Sequence, residues 1–217
     1  MSKYRDYKIF APGHYYHIFN RGVAKQDIFY DDEDRKLLLF RLKEQISGQP
    51  LSKPRPRAYI RKVFPPNLFE IVSYCLMPNH FHFLIKQLTD IKISELFQRV
   101  VSGYSKVFNT RHNRVGSVFQ DQYKAVDVRS DEQLAWLSAY IHKNPVKAGL
   151  VKKPEDWIWS SYQDFINLRK GSLVNTFPVL SLPWFNNKPE IYKKFVDSTD
   201  NEQKAIDEIK HIMLDPE

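Results

Sequence analysis

Two histidines one residue apart, His80 and His82, stand inside the apolar run MPNHFHFLIK. Side chains alternate faces along a strand, so both imidazoles project to one side. Their Cα atoms then lie about 6.6 Å apart, near enough for the rings to lean onto one cation. Phe81, Phe83 and Ile85 turn to the other side, where a helix layer can cover them. Taken alone, the pair equally suits two histidines that hydrogen-bond in or beside a core. The lone cysteine, Cys75, falls on no zinc-ligand spacing. Further along, in LSAYIHKNPVKAGLV, Tyr140 and Asn144 are one helical turn apart and share a face. A tyrosine hydroxyl is a covalent nucleophile when something lowers its pKa or polarises the group it attacks. Deprotonating it at neutral pH is uphill by about 3 pKa units, which positive charge nearby must offset. Asn144 offers an amide oxygen as a further ligand. Alone, this pair also reads as a tyrosine packed with Trp136 and Leu137 and an asparagine closing the helix before Pro145. Lys143 and Lys147 flank the tyrosine, and neither is assigned as its base.

The elements that hold these residues follow from pattern. HYYHIFNRG (14–22) reads as a strand ending in a turn. DDEDRKLLLFRLKEQI (31–46) opens with acids suited to a helix N-terminus. The stretch 48–67 holds five prolines with Lys53, Arg55, Arg57, Arg61 and Lys62, and reads as a basic loop or arm. LFEIVSYCLMP and HFHFLIKQ are two strands joined at Met-Pro-Asn. A long helix begins near Ser94, with Leu96, Val100, Val101, Tyr104 and Phe108 as its apolar stripe. SVFQDQYKAVDV is a further strand or extended segment. Ser130, three residues before Gln133, caps the tyrosine helix, and Pro145 limits its far end. DWIWSSYQDF packs back on the core, and one or two short amphipathic helices follow from Asn187. This order suggests an α+β sandwich, a mainly antiparallel sheet with helices on one face.

The chain of 217 residues suits one domain and carries 33 Lys plus Arg against 25 Asp plus Glu, a net charge of +8. That excess favours polyanionic partners. A single cysteine forbids an internal disulfide and suits a reducing compartment. No apolar stretch approaches the roughly 20 residues of a membrane span, and MSKYRDYKIF lacks the apolar core of a signal peptide. The expectation is a cytoplasmic protein with no membrane association.

The collinear segments YYHIFNRGVAKQDIFYDDEDRKLLLFRL, SYCLMPNHFHFLI, NTRHNRVGSVFQDQYKA, YIHKNPVKAGLV and WIWSSY resemble the single-tyrosine HUH transposases, and among them the REP-associated tyrosine transposases. The resemblance implies a ferredoxin-like α+β sandwich over 1–168, with the His-Phe-His motif on a central strand and a C-terminal helical extension over 169–217. It implies Tyr140 as catalytic nucleophile and His80, His82 and Asn144 as ligands of a divalent cation, Mg2+ or Mn2+. Imidazole ligands suit manganese better than magnesium on softness. The implied partner is single-stranded or hairpin DNA, cut through a 5′-phosphotyrosine intermediate and rejoined. The alternative function is a hairpin-binding protein with a non-mobile, regulatory role. A metal hydrolase ranks last, since it leaves the tyrosine unused and lacks a nearby carboxylate base. Arg21, Lys25, Lys106, Arg111, Arg114 and Lys124 are the candidate DNA contacts, with Arg129 beyond them and Tyr104, Phe108, Phe119 and Tyr123 interleaved as stacking platforms for bases. The family's basic residue near Gln122 is replaced here by Asp121-Gln122, which puts one phosphate contact in doubt. Monomer and homodimer both remain open, because some relatives exchange the tyrosine helix between chains.

Overall fold

The first strand, β1 (Tyr15–Arg21), sends Tyr16 and Ile18 into one core and turns His17 and Phe19 the other way. The computed structural model to which it belongs describes residues 10–49 and 63–199. Most of the basic arm, residues 50–62, and the final helical stretch from 200 onward lie outside the described residues. After β1 comes α1 (Asp32–Ser47), whose N-cap Asp31 accepts from the Asp34 backbone amide and whose first turn is acidic. Gly48 ends it in the left-handed conformation, φ +69°, and a Cβ there would sit 2.6 Å from Pro66 Cδ. Strands β2 (Phe69–Met77) and β3 (His80–Gln87) form a hairpin about Pro78-Asn79. Then follow α2 (Ile93–Arg111), β4 (Lys124–Val128) and α3 (Asp131–Lys147).

The sheet order is β2-β3-β1-β4 with every pairing antiparallel, which is the ferredoxin-like arrangement. The histidine strand β3 is therefore central. Phe81, Phe83 and Ile85 are buried under α1 and α2, against Leu38, Leu42, Leu96, Phe97 and Tyr104. Helices do not lie on one face alone. Leu84, Val72 and Val128 make the opposite face apolar as well, and α3 covers it. The chain from Tyr162 onward adds to that second layer. Helices α4 (Tyr162–Phe165), α5 (Phe177–Leu180) and α6 (Pro189–Ser198) bring Phe165, Val179, Tyr192 and Val196 into one core with Leu137 and Ile141 of α3. The second face carries Leu84, Val72 and Val128 beside the histidines, and a sheet covered once would leave them in water.

Ser130 caps α3 as expected, accepting from Gln133 N at 3.1 Å. Pro145 does not stop the helix, which runs on to Lys147. Proline removes one donor, but the last turn is closed by Ala148 N to Asn144 O and Leu150 N to Pro145 O, each 2.9 Å. The aromatic segment after Gly149 does pack back: Trp157 Nε1 donates to Leu76 O at 3.1 Å, and Leu76 N donates to Trp159 O at 2.9 Å. It pairs along the outer edge of β2, where Cys75 bridges Ser160 and Ile71 bridges Val174. No described helix is long and apolar enough to cross a membrane.

Candidate active site

His80 and His82 share the sheet face that looks toward α3, their ring centroids 5.0 Å apart. Each ring is oriented through Nδ1. His80 Nδ1 donates to Asn79 Oδ1 at 2.6 Å, and Asn79 Nδ2 donates to Lys25 O at 3.0 Å, which fixes the direction of the amide. His82 Nδ1 meets His17 Nε2 at 2.9 Å. His82 is fully buried, and its Nε2 has no hydrogen-bond partner. Burial, reinforced by His80, His17 and Arg21, holds its pKa well below the ordinary histidine value, so the ring is neutral. A neutral imidazole with an orphaned nitrogen suits a cation, provided His82 Nδ1–H donates to His17. That is how a ligating histidine is oriented through its other nitrogen. Among the described residues no group of three or more His, Cys, Asp or Glu side chains could hold a metal ion. The chain thus offers two imidazoles, and a cation there would complete its shell with an amide oxygen, water or a substrate phosphate.

Helix α3 brings the tyrosine to this face. The Tyr140 ring lies edge-on to His82, centroids 5.5 Å apart, and 6.3 Å from His17. All these residues belong to one chain. Because α3 continues past Pro145, Lys147 Nζ comes to 5.9 Å from the Tyr140 ring. Asn144 Nδ2 donates back to Tyr140 O at 3.0 Å, so its amide is turned along the same helix face as the tyrosine.

The basic residues divide. Arg21 is on the His17 face of β1 and pairs in register with His80. Lys25 follows in a turn where Ala24 and Lys25 both take positive φ, 51° and 60°. This turn is laced to the β2–β3 hairpin by Gly22 N to Asn79 O, 2.8 Å, and Ile28 N to Pro78 O, 2.9 Å. A Cβ on Gly22 would fall 2.0 Å from Gln26 O, so only glycine permits that closure. Lys124 stands over Phe19, Nζ to ring centroid 5.9 Å, and Phe19 neighbours His82. Arg114 reaches Gln26 Oε1 at 3.4 Å and lies over Phe108. Arg111 is engaged elsewhere: it bonds Asp31 at 2.7 Å and Asp34 at 2.5 Å, clasping the end of α2 to the start of α1. Lys106 is exposed on α2, which covers the opposite face of the sheet. Arg129 pairs with Asp127 at 3.2 Å. The expected stacking platforms are core residues. Tyr104 and Phe108 are fully buried, Phe119 nearly so, and Tyr123 packs against Phe97.

Residues missed from sequence are His17, Asn79 and His142. His17 carried a signal, a polar ring at a core-facing position of YYHIF; Asn79 looked like a turn residue only. His142 is buried, with Nδ1 2.7 Å from Tyr192 Oη and Nε2 2.8 Å from Ser161 Oγ.

Comparison with known proteins bears on the family and the fold. Residues 12–144 match the family model described as "Transposase IS200 like". A Haemophilus influenzae protein named for the REP-associated tyrosine transposases is 33% identical over 105 residues, 43% of this chain. The match spans 59% of that relative's own length. A solved structure of a REP-associated tyrosine transposase bound to a REP hairpin shares the fold, with TM-score 0.56 and 18% identity, covering 81% of this chain and 98% of that one.

Proposed function

We propose that this chain, which belongs to the IS200-like transposase family, cuts and rejoins single-stranded DNA beside hairpins with Tyr140 as its covalent nucleophile. The observation that carries the reading is the meeting of Tyr140 and His82, 5.5 Å apart within one chain. Tyr140 Oη attacks the scissile phosphorus in line with the departing 3′ oxygen. One P–O bond forms and one breaks, giving a 5′-phosphotyrosine and a free 3′-OH, with the phenolic proton passing to the 3′ oxygen directly or through water. Attack of a 3′-OH on the phosphotyrosine reverses the exchange, so neither water nor ATP is consumed. Lys147 Nζ, 5.9 Å from the Tyr140 ring, puts a positive charge beside the nucleophile. His80, His82 and the Asn144 oxygen would hold a divalent cation, Mg2+ or Mn2+, that neutralises charge on a non-bridging phosphate oxygen. Asn79 and His17 keep the two imidazoles aimed. Arg21, Lys25 and Lys124 line the approach of the DNA backbone. A hairpin is also the DNA held by the related solved structure.

The test is incubation with a single-stranded DNA hairpin and manganese, followed by a denaturing gel. A protein–DNA adduct that Tyr140→Phe abolishes supports the nucleophile; an adduct that survives the change removes it. Hairpin binding with no adduct in the unaltered protein would replace this reading with that of a non-cutting, regulatory binder.

A further inference from the structure

Helix α3 has two working faces. Tyr140 and Asn144 occupy one, and Ser138 and His142, also four residues apart, lie about 200° around the axis from them. The second face meets an ordered chain of hydrogen bonds whose direction can be assigned. Ser138 Oγ donates to Ala135 O at 2.7 Å, so Tyr192 Oη, 2.9 Å away, must donate to Ser138. The Tyr192 proton being used, His142 Nδ1–H donates to Tyr192 Oη at 2.7 Å. His142 Nε2 then accepts from Ser161 Oγ at 2.8 Å, and Ser161 Oγ accepts from Tyr74 N at 2.9 Å. Each group gives and receives in one sense, from the β2 backbone through α3 to the α6 side chain. Ser138, His142, Ser161 and Tyr192 are all fully buried. Ser161 Oγ also lies 3.3 Å from Tyr74 O, so the network ties α3 to both β2 and α6, and a rotation of α3 about its axis would break several bonds at once.

We infer that Tyr192 and His142 are positioning residues that lock the rotation of α3 and thereby aim Tyr140 at the histidine pair. Tyr192 lies beyond residues 12–144, the part of the chain that the family model matches. The segment after 168 thus completes the site from behind rather than acting as a separate appendage. The inference rests on Tyr140 being the nucleophile. A lock acts on geometry, and a misplacement of about 1 Å at a reacting atom costs up to about 100-fold in rate. Removing only the Tyr192 hydroxyl keeps its ring among Phe165, Phe185 and Phe195.

The experiment measures single-turnover formation of the DNA adduct with the full chain, manganese and a hairpin substrate, reading rate constant and amplitude separately. Unaltered protein, Tyr140→Phe, Tyr192→Phe and Ser138→Ala are compared. The lock predicts that Tyr192→Phe lowers the rate constant at least tenfold while hairpin affinity stays within twofold of the unaltered protein. Ser138→Ala, which opens the network at its far end, should slow the step in the same sense and remains informative if Tyr192→Phe folds poorly. A merely structural role would reduce amplitude with the folded fraction and leave the rate constant of the folded molecules unchanged; that result overturns the inference. Failure of the underlying reading looks different: the unaltered protein forms no adduct, or Tyr140→Phe still forms one.

Discussion

Replacing His142 with glutamine should flatten the acid side of the stability profile. Burial lowers the His142 pKa from 6.5 to about 3, with the charge of Arg169 adding to the effect. Tyr162, Phe165 and Tyr192 face the ring, and Ser161 Oγ accompanies them. The folded chain keeps the imidazole neutral while the unfolded chain takes up a proton below 6.5. The stability it contributes is therefore complete above that value and is lost as the pH falls toward 3. Between pH 7 and pH 5 the loss is about 2 kcal/mol, since the unfolded group is 1.5 units below its pKa and each unit is worth about 1.4 kcal/mol. With a urea slope of about 2 kcal/mol per molar, the unaltered protein's midpoint should fall about 1 M further than that of His142→Gln. The assay is urea denaturation of both proteins at pH 7 and pH 5 with EDTA present. His82, whose pKa is also lowered, is common to both proteins and cancels from the difference. Equal losses in the two proteins would refute the claim that His142 is held neutral inside the fold.

Mixing Tyr140→Phe with a His80→Ala, His82→Ala double variant should restore no cleavage, because Tyr140 meets the histidines of its own chain; recovery on a denaturing gel would mean the helix is exchanged between chains. Arg111→Ala should lower the chemical-denaturation midpoint, as Asp34 stays buried with Tyr30 N and His112 left to stabilise it. For hairpin binding against salt concentration, Lys124→Ala should lower the slope by about 0.7, one phosphate contact, whereas Lys106→Ala should leave it unchanged. A lowered slope for Lys106→Ala would move the DNA surface onto α2.

How far the sequence foretells the site depends on the range of the interaction. The shared face of His80 and His82 follows from alternation, and the Tyr140–Asn144 pair from helical spacing; both are local rules and both hold. Helical spacing likewise puts Tyr104 and Phe108 on the apolar stripe of α2, where they lie, and it is the composition around them that misleads. Aromatic rings between basic residues look like stacking platforms, but at the period of α2 they point into the sheet. Pro145 misleads for a related reason, since its cost falls in a last turn that later residues close. Arg111 counts as a free cation only until α1 is placed beside it. His17 and Tyr192 are legible only from register: strand pairing brings β1 diagonally to His82, and chain packing brings α6 across α3. No short window of sequence contains those contacts.

The contact between Gly48 and Pro66 has a consequence for how such a protein can change. The chain leaves the end of α1 and comes back to the same spot, so the stretch it spans in between begins and ends at one fixed point. The length of that stretch enters none of the distances that hold Tyr140 beside His82, and lengthening a loop whose ends already meet costs little. The meeting point of Gly48 and Pro66 is therefore a port. A foreign segment or a fluorescent tag can be spliced between them while the placement of Tyr140 beside His82 stays as it is. Scaffold and graft can be varied independently.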